Sequence, residues 1–151
     1  MNKTRFRHGF LYAGPVLVYA VLIFIVSSIT KFPDSTPSFF GFDKLAHFCE
    51  YYPFGFLSCR WVSAMETPFL KSRAIWVTII LGTLYGLGDE WHQAFVPGRE
   101  ASLWDALFDS LGVLTAAGTY RMLTERICSL NRSLNGPERE IIHEEKTGNH
   151  H

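Results

Sequence analysis

Charge is what this chain has least of where it matters. Gly9 to Ile29 contains no charged residue at all, a stretch of 21 residues. A membrane crossing needs about 20 apolar residues. The net formal charge is zero. The basic residues are scattered, which argues against a nucleic-acid partner. No nucleotide-binding glycine loop is present, so phosphate cradling of that kind is excluded. Cysteine is scarce: Cys49, Cys59 and Cys128 show no metal-ligand spacing, and two of them fall in an apolar stretch. Cys49 and Cys59 read as buried small side chains rather than a disulfide. No small-x-small cleavage site closes the first apolar run, which is longer than a signal core, so it reads as a retained helix.

Apolar segments, by contrast, dominate. After 9–29 come Leu45–Val62, Ala74–Asp89 and Leu103–Leu123. Length alone gives one domain. The expected fold is all-α, an integral membrane bundle of four transmembrane helices over 9–123. A short N-terminus (1–8) and a polar tail (124–151) flank it. Asn131, Asn135, Gly136 and Pro137 predict a frayed helical extension and then a flexible tail. Eleven of the fourteen Lys and Arg lie in the N-terminus, the second connection and the C-terminal stretch. The positive-inside rule then puts both termini in the cytoplasm of a bacterial inner membrane, with Asp34 and Arg99 outside.

Polar residues interrupt these spans in two clusters. One is Asp43-Lys44-Leu45-Ala46-His47-Phe48-Cys49-Glu50-Tyr51. The other is Asp89-Glu90-Trp91-His92-Gln93, followed by Arg99, Ser102, Asp105 and Asp109. Asp43, His47 and Glu50 stand at i, i+4 and i+7, one helical face. Glu50 lies about 10 Å deeper than Asp43. Asp89, His92 and Gln93 share a face, and Ser102, Asp105, Asp109 and Gly112 form a third stripe. Lipid would penalise such stripes, so all three are expected to point inward, at the outer boundary.

Simpler readings stand beside this one. Lys44 reads as an interfacial anchor, Trp91 and Trp104 as belt residues. Asp43 fits an N-cap. Glu90 points about 100° from Asp89 and so faces water or Arg99. Tyr51 also reads as a packing residue. Gly82-x-x-x-Gly86 and Gly112-x-x-x-Ala116 offer close helix approach, or only reflect common membrane composition. Pro53 should kink its helix and free the Cys49 carbonyl. Val96-Pro97-Gly98-Arg99 fits a type II turn.

The ordered set Asp43-Lys44-x-x-His47-Phe48-x-Glu50-Tyr51, Asp89-Glu90-x-His92-Gln93, Pro97-Gly98-Arg99-x-x-Ser102-x-x-Asp105 and Asp109-x-x-Gly112 resembles the VanZ-like family of small bacterial membrane proteins. The likeness spans roughly residues 10–122. Asp109 stands where that family often carries Asn. The resemblance implies a four-helix membrane protein with a polar site facing the envelope. It also implies a link to envelope lipids, lipid-linked wall precursors or glycopeptide resistance.

Six carboxylates (Asp43, Glu50, Asp89, Glu90, Asp105, Asp109) face two fixed cations, Lys44 and Arg99. Protons or a divalent metal ion would balance them. Mixed His and carboxylate ligands suit Zn or Mn, and oxygen alone suits Mg or Ca. Two function classes stay open. In the first, an enzyme acts at a phosphoester of a lipid headgroup, with His47, Glu50, Asp89 and Asp105 as catalytic residues. Glu90, His92, Gln93, Arg99, Ser102, Asp109 and Tyr51 would then bind the headgroup. In the second, a non-catalytic protein binds lipid, wall precursor or antibiotic. A proton-coupled transporter is the weakest reading, because one copy has few spans and no clear internal repeat.

Overall fold

The computed structural model describes residues 3–30 and 41–148, with side chains for 10–30 and 41–134. Among these residues all regular structure is helical. The all-α expectation therefore holds. The connection carrying Asp34 lies outside the described residues. The elements are α1 (Lys3–Ser27), α2 (Phe42–Ser63), α3 (Pro68–Ser72), α4 (Ala74–Gln93) and α5 (Leu103–Gly148). The chain divides into two compact units, Met1–Tyr120 and Arg121–His151.

Local chemistry sets the helix ends. The Leu45 N–H donates to the carbonyl of Gly41, which starts α2 at a left-handed glycine (φ 88°). The Ala64 N–H closes the helix on Arg60 and Trp61. Pro68 opens α3 at a position where its missing N–H costs nothing. Pro53 sits inside α2, and the helix runs through it, leaving the Cys49 carbonyl without its usual donor. Between α4 and α5 the Arg99 N–H donates to the Val96 carbonyl (3.1 Å), with Gly98 at φ 82°. That is the expected turn, and the positive φ at its third position explains the glycine.

In the first unit α2, α4 and α5 meet at backbone distance. A Cβ on Gly55 would stand 2.7 Å from the Val113 Cα, and one on Gly82 would stand 2.6 Å from a Val113 methyl. A Cβ on Gly112 would lie 2.6 Å from the Phe48 carbonyl oxygen. The small residues are therefore packing devices, not background composition. α1 joins through Val16 and Ile23, which pack with Tyr51, Phe54 and Val113. The Tyr85 hydroxyl donates to the Ala20 carbonyl (2.7 Å), pinning α4 to α1.

The outside of this unit is apolar. Leu17, Val21 and Phe24 on α1, Trp76, Ile80 and Leu84 on α4, and Leu107 and Leu114 on α5 are all exposed. Asp89, Glu90, Asp105 and Asp109 are buried. A water-soluble protein has the opposite arrangement. Among the described residues one helix segment, Phe10–Ser27, is long and apolar enough to cross a membrane by length and composition. In the other long helices the buried acids and histidines lower that apolarity.

The second unit is helical through Gly148, so Asn131, Asn135, Gly136 and Pro137 do not end the helix as expected, and the polar tail continues α5. It carries an exposed i,i+4 pair, Arg121 Nε to Glu125 Oε1 at 2.7 Å. Such pairs contribute little.

Candidate functional site

The site forms where the first turns of α2, the last turn of α4 and the first turns of α5 come together. His47 is its centre. Its Nδ1 lies 3.0 Å from Asp109 Oδ1 and 3.8 Å from Glu90 Oε1. Its Nε2 faces Asp105 Oδ2 at 4.0 Å. Three carboxylates from two other helices thus surround one imidazole. Gly86 makes the approach possible: a Cβ there would stand 3.1 Å from Asp109 Oδ2.

Lys44 closes the outer side. Its Nζ donates to Asp43 Oδ2 (2.8 Å) and Asp105 Oδ1 (3.1 Å). The anchor reading of Lys44 is therefore corrected: its long side chain has a closer partner in the bundle than in the interface. The helix N-cap is Gly41, and Asp43 sits in the first turn as the lysine's partner. The ammonium beside Asp43 holds its carboxyl below the usual range, and the two acids hold Lys44 above its own.

Glu90 is also corrected. It is only 4% exposed, and it faces neither water nor the surface. Its Oε2 accepts the backbone N–H of Ser102 at 2.7 Å, and its Oε1 turns toward His47. The turn at 96–99 reverses the chain and delivers Ser102 to it. Sequence reasoning missed this because helical spacing separates Glu90 from Asp89, but a helix end has neighbours on more than one side.

His92 goes elsewhere. Its ring stacks on Phe24 at 4.5 Å, and its Nε2 is 3.0 Å from the Ser28 hydroxyl. It joins α4 to α1 and does not reach the His47 cluster. Gln93 stays on its own helix and donates to Asp89 Oδ2 (3.0 Å). Glu50 lies within electrostatic reach of His47, Asp89, Asp109 and Arg99. Tyr51 is fully buried between Phe54 and Tyr85. Trp91 and Trp104 are 72% and 65% exposed, as belt residues would be.

Around His47, Glu90 Oε1 and Asp109 Oδ2 are buried without a hydrogen-bond partner, as is the Tyr51 hydroxyl one turn along α2. Orphaned buried polar atoms are costly and uncommon in structural cores. Together with the surplus of carboxylates, they mark a place built to receive something.

A family model described as VanZ/LLP1 matches residues 7–124. The chain belongs to the VanZ/LLP1 family. The match covers α2, α4 and the bundle part of α5, and so every residue of the His47 cluster. This VanZ-type chain is thus a membrane protein, in keeping with its apolar exterior. No curated protein and no solved structure matches it.

Proposed function

We propose that this VanZ-type protein acts on the headgroup of an envelope lipid or lipid-linked wall precursor, by phosphoester cleavage or headgroup exchange. The observation that carries the reading is His47, held among Glu90, Asp105 and Asp109 inside a bundle with an apolar exterior. Such burial is expensive without a task. α1, α2, α4 and α5 would be the four spans, with both termini cytoplasmic and the cluster at the outer boundary of the inner membrane.

In the hydrolytic form, a water oxygen bonds to phosphorus while the bond from phosphorus to the departing alcohol oxygen breaks. Glu50 takes the water's proton, and His47 gives one to the departing oxygen. Solvent then restores both groups. Asp89 and Asp105 hold the acid–base pair in place, and Arg99 clamps phosphate through its planar pair of donors. The second reading, a binder of lipid, wall precursor or glycopeptide, is supported by the VanZ family membership itself.

Lipid profiling separates the two. Cells expressing the protein should show a changed headgroup distribution that His47→Ala restores to the empty-vector pattern. An unchanged lipid pool with bound lipid in the purified protein would favour the binder. Whole-cell labelling with an impermeant thiol reagent tests the orientation. A Glu100→Cys protein should label, and native Cys128 should stay protected. The reverse pattern would place the cluster inside.

A further inference from the structure

We infer that His47, Glu90 and Asp109 bind one divalent transition-metal ion, zinc or manganese, with a coordination position left open. The inference rests on the same cluster being the working site, and it names what that cluster holds. One ligand atom from each residue lies within 4.8 Å of the others. Tetrahedral zinc with bonds near 2.1 Å would bring such atoms to roughly 3.4 Å from one another, so the widest separation must contract by up to about 1.4 Å.

Two independent features point to a ligand rather than to a chance group of acids. Glu90 is 4% exposed and turns its unpartnered Oε1 toward His47, while the fully buried Asp109 faces His47 with Oδ1 and leaves Oδ2, against Gly86, unpartnered. A cation would satisfy the Glu90 oxygen, which neither packing nor the existing hydrogen bonds do. The surrounding groups are also arranged as a metal site needs. Nδ1 of His47 faces Glu90 and Asp109, while Nε2 faces Asp105 at 4.0 Å. A metal on Nδ1 leaves the hydrogen on Nε2, where a carboxylate can orient it. Lys44 fixes that carboxylate, and the Ser102 N–H fixes the second oxygen of Glu90.

The ligand set selects the ion class. One imidazole and two carboxylates suit zinc or manganese better than the all-oxygen ions magnesium and calcium. Three protein ligands leave a position for water or a phosphoryl oxygen. With the ion bound, His47 would be a ligand rather than the proton donor, and Glu50 would both take the water's proton and return it to the departing oxygen.

The test uses the full chain in detergent, stripped with chelator and titrated with Mn²⁺ alone. Electron paramagnetic resonance counts bound against free ion, and pulsed measurements report a directly bound imidazole nitrogen. One ion per chain is expected, with nitrogen coupling, displaced by Zn²⁺. Glu90→Gln and Asp105→Asn should each weaken binding by at least about tenfold. No bound ion, bound ion without nitrogen coupling, or full affinity in Glu90→Gln would overturn the site. If Glu90→Gln fails to fold, the nitrogen signal of the unaltered protein decides. Lipid turnover by a protein that binds no ion would sink the metal alone. A bound ion with an unchanged lipid pool would leave the metal and sink the enzyme.

Discussion

The same three helices behave differently at their two halves. Around Gly55, Gly82, Val113 and Ala116 the glycine backbones press directly on α5, with Thr78, Cys59 and Val62 buried alongside. One turn or two away, around His47, Glu90, Asp105 and Asp109, the space is filled by charged groups, some with unpaired oxygens. The tight half has no room to adjust, and this fixes the loose half. Gly112 on Phe48 and Gly86 on Asp109 lie at the join, so the register set by small residues decides where Asp109 meets His47. Close packing supplies the rigidity that a preorganised site requires.

The largest effect should come from the loose half. Asp105→Asn and Asp89→Asn should each reduce function by at least about a hundredfold, the scale of acid–base and positioning losses. Both proteins should still fold and insert. Their melting temperatures should hold or rise, because surplus negative charge is removed. Headgroup profiles and melts in detergent check this. Full function in both would make the two halves equally structural.

Next comes the join. Gly112→Ala should cost about 1–3 kcal/mol of stability, since its Cβ meets a backbone carbonyl that cannot turn aside. Function should fall with it, as Asp109 is pushed off His47. A melt indistinguishable from the parent would show that the helices can slide. Arg99→Lys should lower function by about tenfold while leaving the melt unchanged, because an ammonium cannot reproduce two coplanar donors.

Glycines that touch nothing sharpen the contrast. Gly88 is two residues from Gly86, and a Cβ there would meet no atom within 4 Å. Gly88→Ala should change stability by less than about 1 kcal/mol, on the favourable side, through helix propensity. The smallest effect belongs to Asp43, which is 61% exposed. Its lowered pKa means that its contribution is present above the unfolded value and is lost as pH falls through the folded one. Asp43→Asn should therefore lower the melting temperature slightly near neutrality, and the difference from the parent should vanish as pH falls through the folded pKa.

Local patterns in the sequence carried much of this. The four long helices and the Val96–Arg99 turn follow from spacing and residue type alone, whereas the short α3, the run of α5 to Gly148 and the choice of close approach at Gly82 and Gly86 do not. The face shared by Asp43, His47 and Glu50 is likewise a property of one helix. What stayed hidden depended on neighbours. Spacing groups His92 with Asp89 and Gln93, yet which side of α4 meets α1 cannot be read from α4. His92 turned to Phe24 and Ser28, and Glu90 took the inner place. Lys44 finds Asp105 across 61 positions of chain, beyond any local signal.

Asp109 also bears on how the protein is made. Its partner His47 stands 62 residues earlier, so it is synthesised first. A segment carrying acids enters a bilayer less readily than an apolar one, by up to about 2.5–3.5 kcal/mol for an acid at its centre and less toward its ends. α5 brings two, Asp105 and Asp109, and α2 already holds Lys44 and His47 to meet them. Under the proposed four-span topology, the last helix would depend on earlier ones for its own insertion. Chain order becomes assembly order, and a truncated α5 should linger at the translocon rather than enter lipid alone.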